Sequence, residues 1–220
     1  MKIQLVDYNK EMCDEWLRAF TQKDSIMLLT DIDVRECDYF SVLTDCIVSP
    51  ANSFGFLDGG IDDKIRKYYE REHNIDVQIA VQERIYKEHG GELLVGQAIY
   101  FPFHEINRVK KIPDLIVAPT MRVPMSLEND SVNVYLAARA IFKTLKLNES
   151  KINSVSISGL GTGIGQLPYS LCAKQMRMAY NDFWLGEYTF PNTWGEAQDR
   201  HQLLFSDTII GDLQYKKNNK

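Results

Sequence analysis

The chain is poor in the residues that staple, chelate or span. Its four cysteines, Cys13, Cys37, Cys46 and Cys172, form no CxxC pair and keep no regular spacing, which excludes a disulfide scaffold or a zinc ribbon. The histidines His73, His89, His104 and His201 are widely scattered, with no HExxH or Cys/His cluster, so no metal is expected. No apolar run approaches the ~20 residues needed to cross a bilayer, and the opening Met1-Lys2-Ile3-Gln4 is not a basic and then apolar leader. These absences lead to the expectation of a reduced, cytoplasmic protein without a membrane partner. Basic residues are also in deficit, 25 Lys+Arg against 30 Asp+Glu for a net charge of -5. Nucleic acid is therefore not an expected partner, and any anionic ligand must be held locally. Repeats, low-complexity tracts and Pro/Gly/Ser linkers are lacking as well, so residues 1–220 read as a single domain.

What is present suits a packed α/β protein: 45% hydrophobic and 25% charged residues in 220. Apolar runs of strand length recur at Lys2–Val6, Ile26–Thr30, Cys46–Ser49, Ala98–Phe103, Asp114–Ala118 and Ser154–Ser158. Between them lie stripes of helical period: Met12, Trp16 and Phe20; Ile75, Ile79 and Tyr86; Val134, Ala138, Ile141 and Leu145; Cys172, Met176, Ala179 and Phe183. Near-continuous runs such as Leu115-Ile116-Val117-Ala118 suit strands covered on both faces. The expected fold is a three-layer α/β/α sandwich around a mixed, mostly parallel sheet. The tail Lys216–Lys220 is polar and is expected to fray.

Three strand ends carry unusual sequence. Ile26–Thr30 stops at Asp31-Ile32-Asp33; Cys46–Ser49 runs into Pro50-Ala51-Asn52 and a loop with Gly55, Gly59 and Gly60; Ser154–Ser158 runs into Gly159-Leu160-Gly161-Thr162-Gly163-Ile164-Gly165. If the strands are parallel neighbours, their C-terminal ends share one rim, where open α/β sheets bind ligands. Glycines let backbone N–H groups approach an anion, and a following helix adds partial positive charge. Two such loops suit a diphosphate. Neither ends in the GK[ST] of a P-loop, and Gly159–Gly165 lies too late in the chain for a Rossmann fingerprint.

The run Asp45-Cys46-Ile47-Val48-Ser49-Pro50-Ala51-Asn52-Ser53, followed by Gly59-Gly60-Ile61-Asp62, resembles the signature of the macrodomain family of ADP-ribose-binding proteins and ADP-ribosyl hydrolases; Asp62 stands ten positions after Asn52, as in that pattern. Gly161-Thr162-Gly163-Ile164 is similar to the family's second phosphate loop, and Asp31-Ile32 to its adenine-contacting pair, with Asp33 as the substitute for Asp31. The resemblance implies that Asp31 binds the adenine amino group, with Ile32 against the base, and that Asn52 binds distal-ribose hydroxyls. Gly59, Gly60 and Ile61 would donate backbone contacts near the diphosphate, with Gly159, Gly161, Thr162, Gly163, Ile164 and Gly165 forming the second loop. Asp62 would position or activate a water at the anomeric carbon. The implied activity is hydrolysis of a group from the distal ribose, either ADP-ribose 1″-phosphate or ester-linked mono-ADP-ribose; the alternative is a non-catalytic ADP-ribose reader. No cofactor or metal is implied.

Local readings stand beside these roles. Asp62 and Asp63 are also acids at the start of a helix, and Asn52 after Pro50-Ala51 is also a turn residue. Where many family members carry an aromatic wall, this chain has Gly165, which leaves Tyr169, Tyr188 and Trp194 as candidates for that wall. The family's usual final strand is not evident after Trp184, and residues 185–220 read as an extension.

Overall fold

In the computed structural model, residues 1–22, 27–105 and 112–214 are described. The strands are β1 (Lys2–Asp7), β2 (Ile32–Glu36), β3 (Cys46–Ser49), β4 (Ile99–Phe101), β5 (Asp114–Val117) and β6 (Ser154–Ile157). They form one sheet in the order β2-β1-β6-β3-β5-β4. Every neighbouring pair is parallel except β4 with β5. Strands β3 and β5 are buried at every position, the polar Ser49 and Asp114 included, as is expected of strands covered on both faces.

Helices α1 (Lys10–Phe20), α4 (Asn133–Leu147) and α5 (Tyr169–Ala179) cover one face; α2 (Gly60–His73) and α3 (Val77–His89) cover the other. A last helix, α6 (Trp194–Gln202), follows α5. The first face buries Trp16 and Phe20 of α1, Ile141 and Phe142 of α4 and Met176 of α5 in one cluster, while Ile65 and Tyr69 of α2 and Val81 and Ile85 of α3 build the second. This is a mixed, mostly parallel α/β/α sandwich, the fold class the hydrophobic patterning predicts.

Two details depart from the sequence expectation. The second strand is Ile32–Glu36, not Ile26–Thr30; Ile26 lies outside the described residues, as does the tail Lys216–Lys220. As an edge strand, β2 keeps only Ile32 fully buried and carries Asp33, Arg35 and Glu36. Charged edges discourage pairing with other chains but erase the apolar signal. Leu28 and Leu29 instead pack on the core from a connection in which Leu28 bridges to Thr21. In α3 the buried stripe is Val77, Val81 and Ile85, whereas Ile79 and Tyr86 are exposed.

The topology places the functional rim. Adjacent strands β6 and β3 send their following helices to opposite faces, α5 to one and α2 to the other. A crevice must open where neighbouring connections diverge, beyond the carboxyl ends of the strands. The two glycine loops are the connections that diverge.

Candidate functional site

The first loop leaves β3 through Pro50 and Ala51. Ala51 has φ 30, a left-handed conformation unusual for a residue with a side chain. Asn52 folds its carboxamide back on the loop: Oδ1 accepts from the Phe54 and Phe56 N–H groups at 3.1 and 3.4 Å, and Nδ2 donates to the Phe56 carbonyl at 2.8 Å. Its second Nδ2 hydrogen is the bonding capacity left over. Gly59 caps α2 without a side-chain hydrogen bond, so the loop reaches the helix as bare backbone. Asp62, in the first turn of α2, turns away from the helix end. Its Oδ1 accepts from Ser49 Oγ at 2.6 Å and from the Ala51 N–H at 3.4 Å. Burial, with a smaller contribution from the charge of Asp58, pushes its carboxyl up to about 6 against the opposing pull of those two bonds. Asp63, by contrast, pairs with Arg66 and Lys67, which hold it below the usual carboxylate range. The charge pairing expected of acids at a helix start thus falls to Asp63.

The second loop follows β6 and is closed on itself. The Leu167 N–H donates to the Gly161 carbonyl at 3.1 Å, and the Gln166 N–H to the Gly163 carbonyl at 3.1 Å. A Cβ at Gly165 would lie 2.3 Å from the Gly161 carbonyl oxygen, closer than any side chain tolerates. Glycine at 165 is therefore required by the loop's own backbone. A Cβ at Gly163 meets nothing within 4 Å, so that glycine faces open space. The connection after β5 clasps both loops: the Thr120 N–H donates to the Pro50 carbonyl at 3.0 Å, and the Leu127 N–H to the Gly165 carbonyl at 2.8 Å.

The loops meet. A Cβ on Gly59 would sit 3.1 Å from Cδ1 of Ile164. On either side of this contact lies a hollow, and the two hollows share Gly60, Ile61, Gly159 and Gly163. The smaller, about 80 Å³, is bounded by Asn52, Phe56, Asp58, Asp62, Pro124 and Ile164, with Gly59, Gly161 and Gly165 also on its wall. The larger, about 300 Å³, is bounded by Asp7, Tyr8, Asn9, Lys64, Thr162 and Tyr169. Backbone donors and the start of α2 in the middle, with a hollow at each side, can hold a central dianion carrying a group at each end.

A model of the macro-like domain matches residues 15–192. The chain belongs to the macrodomain family. An uncharacterized protein of Aquifex aeolicus (strain VF5) is 30% identical over 146 residues, covering 66% of this chain and 78% of that protein. Among solved structures, the macrodomain of Mycobacterium tuberculosis DarG superposes with a TM-score of 0.52 at 17% identity, over 66% of this chain and 87% of that one. The Oceanobacillus iheyensis macrodomain, as a point mutant with ADPR, gives 0.50 at 20% identity, over 64% and 70%. These two likenesses concern the fold.

The macrodomain crevice gathers Asn52, Gly59, Gly60, Ile61, Asp62, Gly159, Gly161, Thr162, Gly163, Ile164 and Gly165. It does not gather Asp31 and Ile32. These precede and begin β2, beside Lys2 and Ile3 at the amino end of the parallel strands, so they lie across the sheet from the rim. The Asp31 carboxylate accepts hydrogen bonds from Tyr180 Oη and Trp184 Nε1, and Ile32 is buried in the core. The misplaced second strand is the cause, because an acid read as a strand's exit is its entrance. Asp33 is no substitute, since it sits inside β2 with Lys2 and Arg35. The acid that follows β2 is Asp38, which caps a short turn and lies 3.5 Å from Lys64.

Residues that sequence reasoning passed over are those after β1. Asp7 Oδ1 accepts from the Asn9 N–H at 2.9 Å and Oδ2 from the Gly159 N–H at 3.4 Å, tying the end of β1 to the second loop. Asn9 caps α1 and donates through Nδ2 to Tyr169 Oη at 2.9 Å. The available signal was a polar Asp7-Tyr8-Asn9 following an apolar strand. Of the aromatics considered for the wall, Tyr169 borders the larger hollow. Tyr188 stacks on Phe183 and carries Arg200 over its ring, and Trp194 lies exposed in α6; neither borders a hollow of the crevice.

Proposed function

We propose that this macrodomain binds ADP-ribose derivatives and hydrolyses a group from the distal ribose. The diphosphate would lie between the loops, on the N–H groups around Gly59–Ile61 and Gly161–Ile164. The adenosine half would occupy the larger hollow, with Asp7 and Asn9 as polar partners and Tyr169 as its wall. The distal ribose would enter the smaller hollow beside Asn52 and Asp62. The single observation that carries this reading is the meeting of the two glycine loops, with one carboxyl, that of Asp62, pushed up to about 6 beside them. The Oceanobacillus macrodomain, seen with ADPR, provides a relative of the same fold holding such a ligand.

In this reading Asp62 takes a proton from a water that attacks the anomeric carbon. A carboxyl held near 6 is ionised at neutral pH and basic enough to accept that proton, unlike an ordinary surface aspartate. Ser49 Oγ and the Ala51 N–H fix its orientation. Asn52 would present its remaining N–H to a ribose hydroxyl. A non-catalytic reader is the second reading, favoured by the commitment of the Asn52 carboxamide to its own loop. We further propose that residues 185–220 form an extension to a single macrodomain, tied down by Arg200 with Asp182 and by Lys174 with Asp207.

Calorimetry with ADP-ribose tests the binding step, and incubation with mono-ADP-ribosylated substrate tests turnover. Saturable binding with product supports hydrolysis. Binding without product leaves the reader, and no binding removes both.

A further inference from the structure

We infer that Tyr39 is a positioning residue: its hydroxyl, set between β3 and β6, holds the carboxyl ends of these strands apart and so fixes the spacing of the two glycine loops. Its consequence for binding rests on the proposed ADP-ribose reading of the crevice. The pairing of the strands shows where they part. β3 pairs with β5 over four residues, from Cys46↔Asp114 to Ser49↔Val117, and β6 pairs with β1 over four, up to Leu5↔Ile157. Between β3 and β6 the pairing covers two, Cys46↔Val155 and Ile47↔Ser156, and goes no further among the described residues. Beyond that level the sheet divides into β2-β1-β6 and β3-β5-β4, and each half leads into one glycine loop.

Tyr39 stands at the point of division. It belongs to the short turn Tyr39–Ser41, on the α2 side of the sheet, and is buried. Its hydroxyl oxygen accepts from the Val48 N–H at 3.0 Å, and its proton goes to the Ser156 carbonyl at 2.6 Å, with the Val48 carbonyl farther off at 3.1 Å. The last facing groups of the two strands thus spend their bonds on a side chain from outside the sheet. Burial holds the phenol well above its ordinary value, so it keeps the proton that this double role needs.

Toward their amino ends the same strands are tied together. The Asp45 N–H donates to Ser154 Oγ at 3.0 Å, and Thr44 Oγ1 lies 3.0 Å from Ser156 Oγ. Tied at one end and parted at the other, β3 and β6 form a V that opens into the crevice. Tyr39 itself borders the larger hollow, as does Ser158, whose buried hydroxyl has no partner among the described residues. Asp62 moves with β3, because Ser49 holds it. The width set at Tyr39 is thereby passed to both loops and to the buried carboxyl.

The test compares Tyr39→Phe with Thr44→Val in the full chain. Both should fold with a lowered denaturant midpoint, since each leaves buried partners short of a bond. Tyr39→Phe is expected to bind ADP-ribose at least ~10-fold more weakly at a temperature where it is folded, as a displacement of one loop against the other predicts. Thr44→Val, which removes a tie to the same Ser156 below the division, is expected to bind within ~2-fold of the parent. In a crystal structure of ligand-free Tyr39→Phe, β3 and β6 are expected to pair beyond Ile47 and Ser156. Parent-like affinity in Tyr39→Phe, or an equal loss in Thr44→Val, overturns the inference while leaving the ADP-ribose site intact. Failure of the parent to bind ADP-ribose removes the site reading alone, and the ligand-free structure then decides: strands drawn together support the inference. Strands still parted in that structure overturn it, whether or not the parent binds ADP-ribose.

Discussion

The two hollows of the crevice share four residues of floor and are otherwise opposites. The larger is walled by side chains that can grip, namely Asp7, Asn9, Lys64 and Tyr169, and it stands at the exits of β1 and β6. The smaller is walled by backbone, apolar groups, Asn52, Thr120 and two aspartates, and it stands at the exit of β3. One holds many partners for a bound group; the other holds one carboxylate whose proton affinity has been raised by burial. In the proposed reading, affinity and chemistry are thereby assigned to different strands of one sheet. Substitutions on the two sides should separate them.

The largest effect is expected at Asp62. Asp62→Asn should lower turnover by at least ~100-fold, the usual scale for losing a general base, while calorimetry shows ADP-ribose affinity within ~3-fold of the parent. The parent rate should rise with pH through about 6 as the carboxylate ionises and then level off. Stability runs the other way. The folded-state value is raised, so the native protein holds this proton more tightly than the unfolded chain does, and the contribution of Asp62 to stability declines as pH rises from about 4 to about 6. Asp62→Asn should therefore be the more stable protein by on the order of 1 kcal/mol at pH 8 and show no advantage at pH 4, measured by denaturant unfolding. Equal turnover in the two proteins would return Asp62 to a purely structural role.

The second effect divides the glycines of one loop. Gly165→Ala forces a methyl into the Gly161 carbonyl, and it should cost ~2–4 kcal/mol in unfolding and lose ADP-ribose binding with it. Gly163→Ala meets nothing in the protein; it should leave stability within ~0.5 kcal/mol and still reduce ADP-ribose affinity by ~10-fold, because the methyl occupies the path of the ligand. If Gly163→Ala binds as well as the parent, the diphosphate does not lie where we place it.

A smaller change is expected in the larger hollow. Lys64 is half exposed, 3.5 Å from Asp38 and 5.4 Å from the Tyr8 ring centre. Lys64→Ala should weaken ADP-ribose binding by ~3–10-fold, raising KM with kcat held, and the loss should shrink in high salt. A fall in kcat alone would break the division of labour between the hollows.

How much of this was legible in the sequence follows from what each strand buries. Strands β3, β5 and β6 are interior to the sheet and are read from their Val, Ile and Leu, and the loops leaving β3 and β6 are marked by glycines that a turn alone does not require. Both the strands and their exits could be read. Strand β2 is an edge whose charges serve the surface, while Leu28 and Leu29 nearby bury themselves without forming a strand of the sheet. Hydrophobic pattern reports burial, not hydrogen-bonded pairing, and here the two diverge. The exit of β1 was missed for another reason: Asp7 and Asn9 matter because β1 lies beside β6, a long-range adjacency with no local mark. Gly165 was read as a missing wall, whereas its contact with Gly161 is a condition of loop closure that four residues of spacing do not reveal.

The smallest functional effect is expected at Asp31, which a linear reading places in the site and the fold places across the sheet from it. Its carboxylate is held by Tyr180 Oη and Trp184 Nε1, groups of the segment after α5, and Lys146 lies over the Trp184 ring 4.4 Å from its centre. Asp31→Ala leaves those two donors without their acceptor, so it should destabilise the protein by ~1–3 kcal/mol in denaturant unfolding. It should nevertheless bind ADP-ribose with unchanged affinity at a temperature where the variant is folded. Asp38→Ala, at the true exit of β2, should do the reverse: little loss of stability, since the residue is exposed, and a modest change in binding through its partner Lys64. A loss of affinity in Asp31→Ala out of proportion to its unfolded fraction would mean that the β2 edge communicates with the crevice through β1, whose Ile3 pairs with Ile32 at one end while Asp7 meets the second loop at the other.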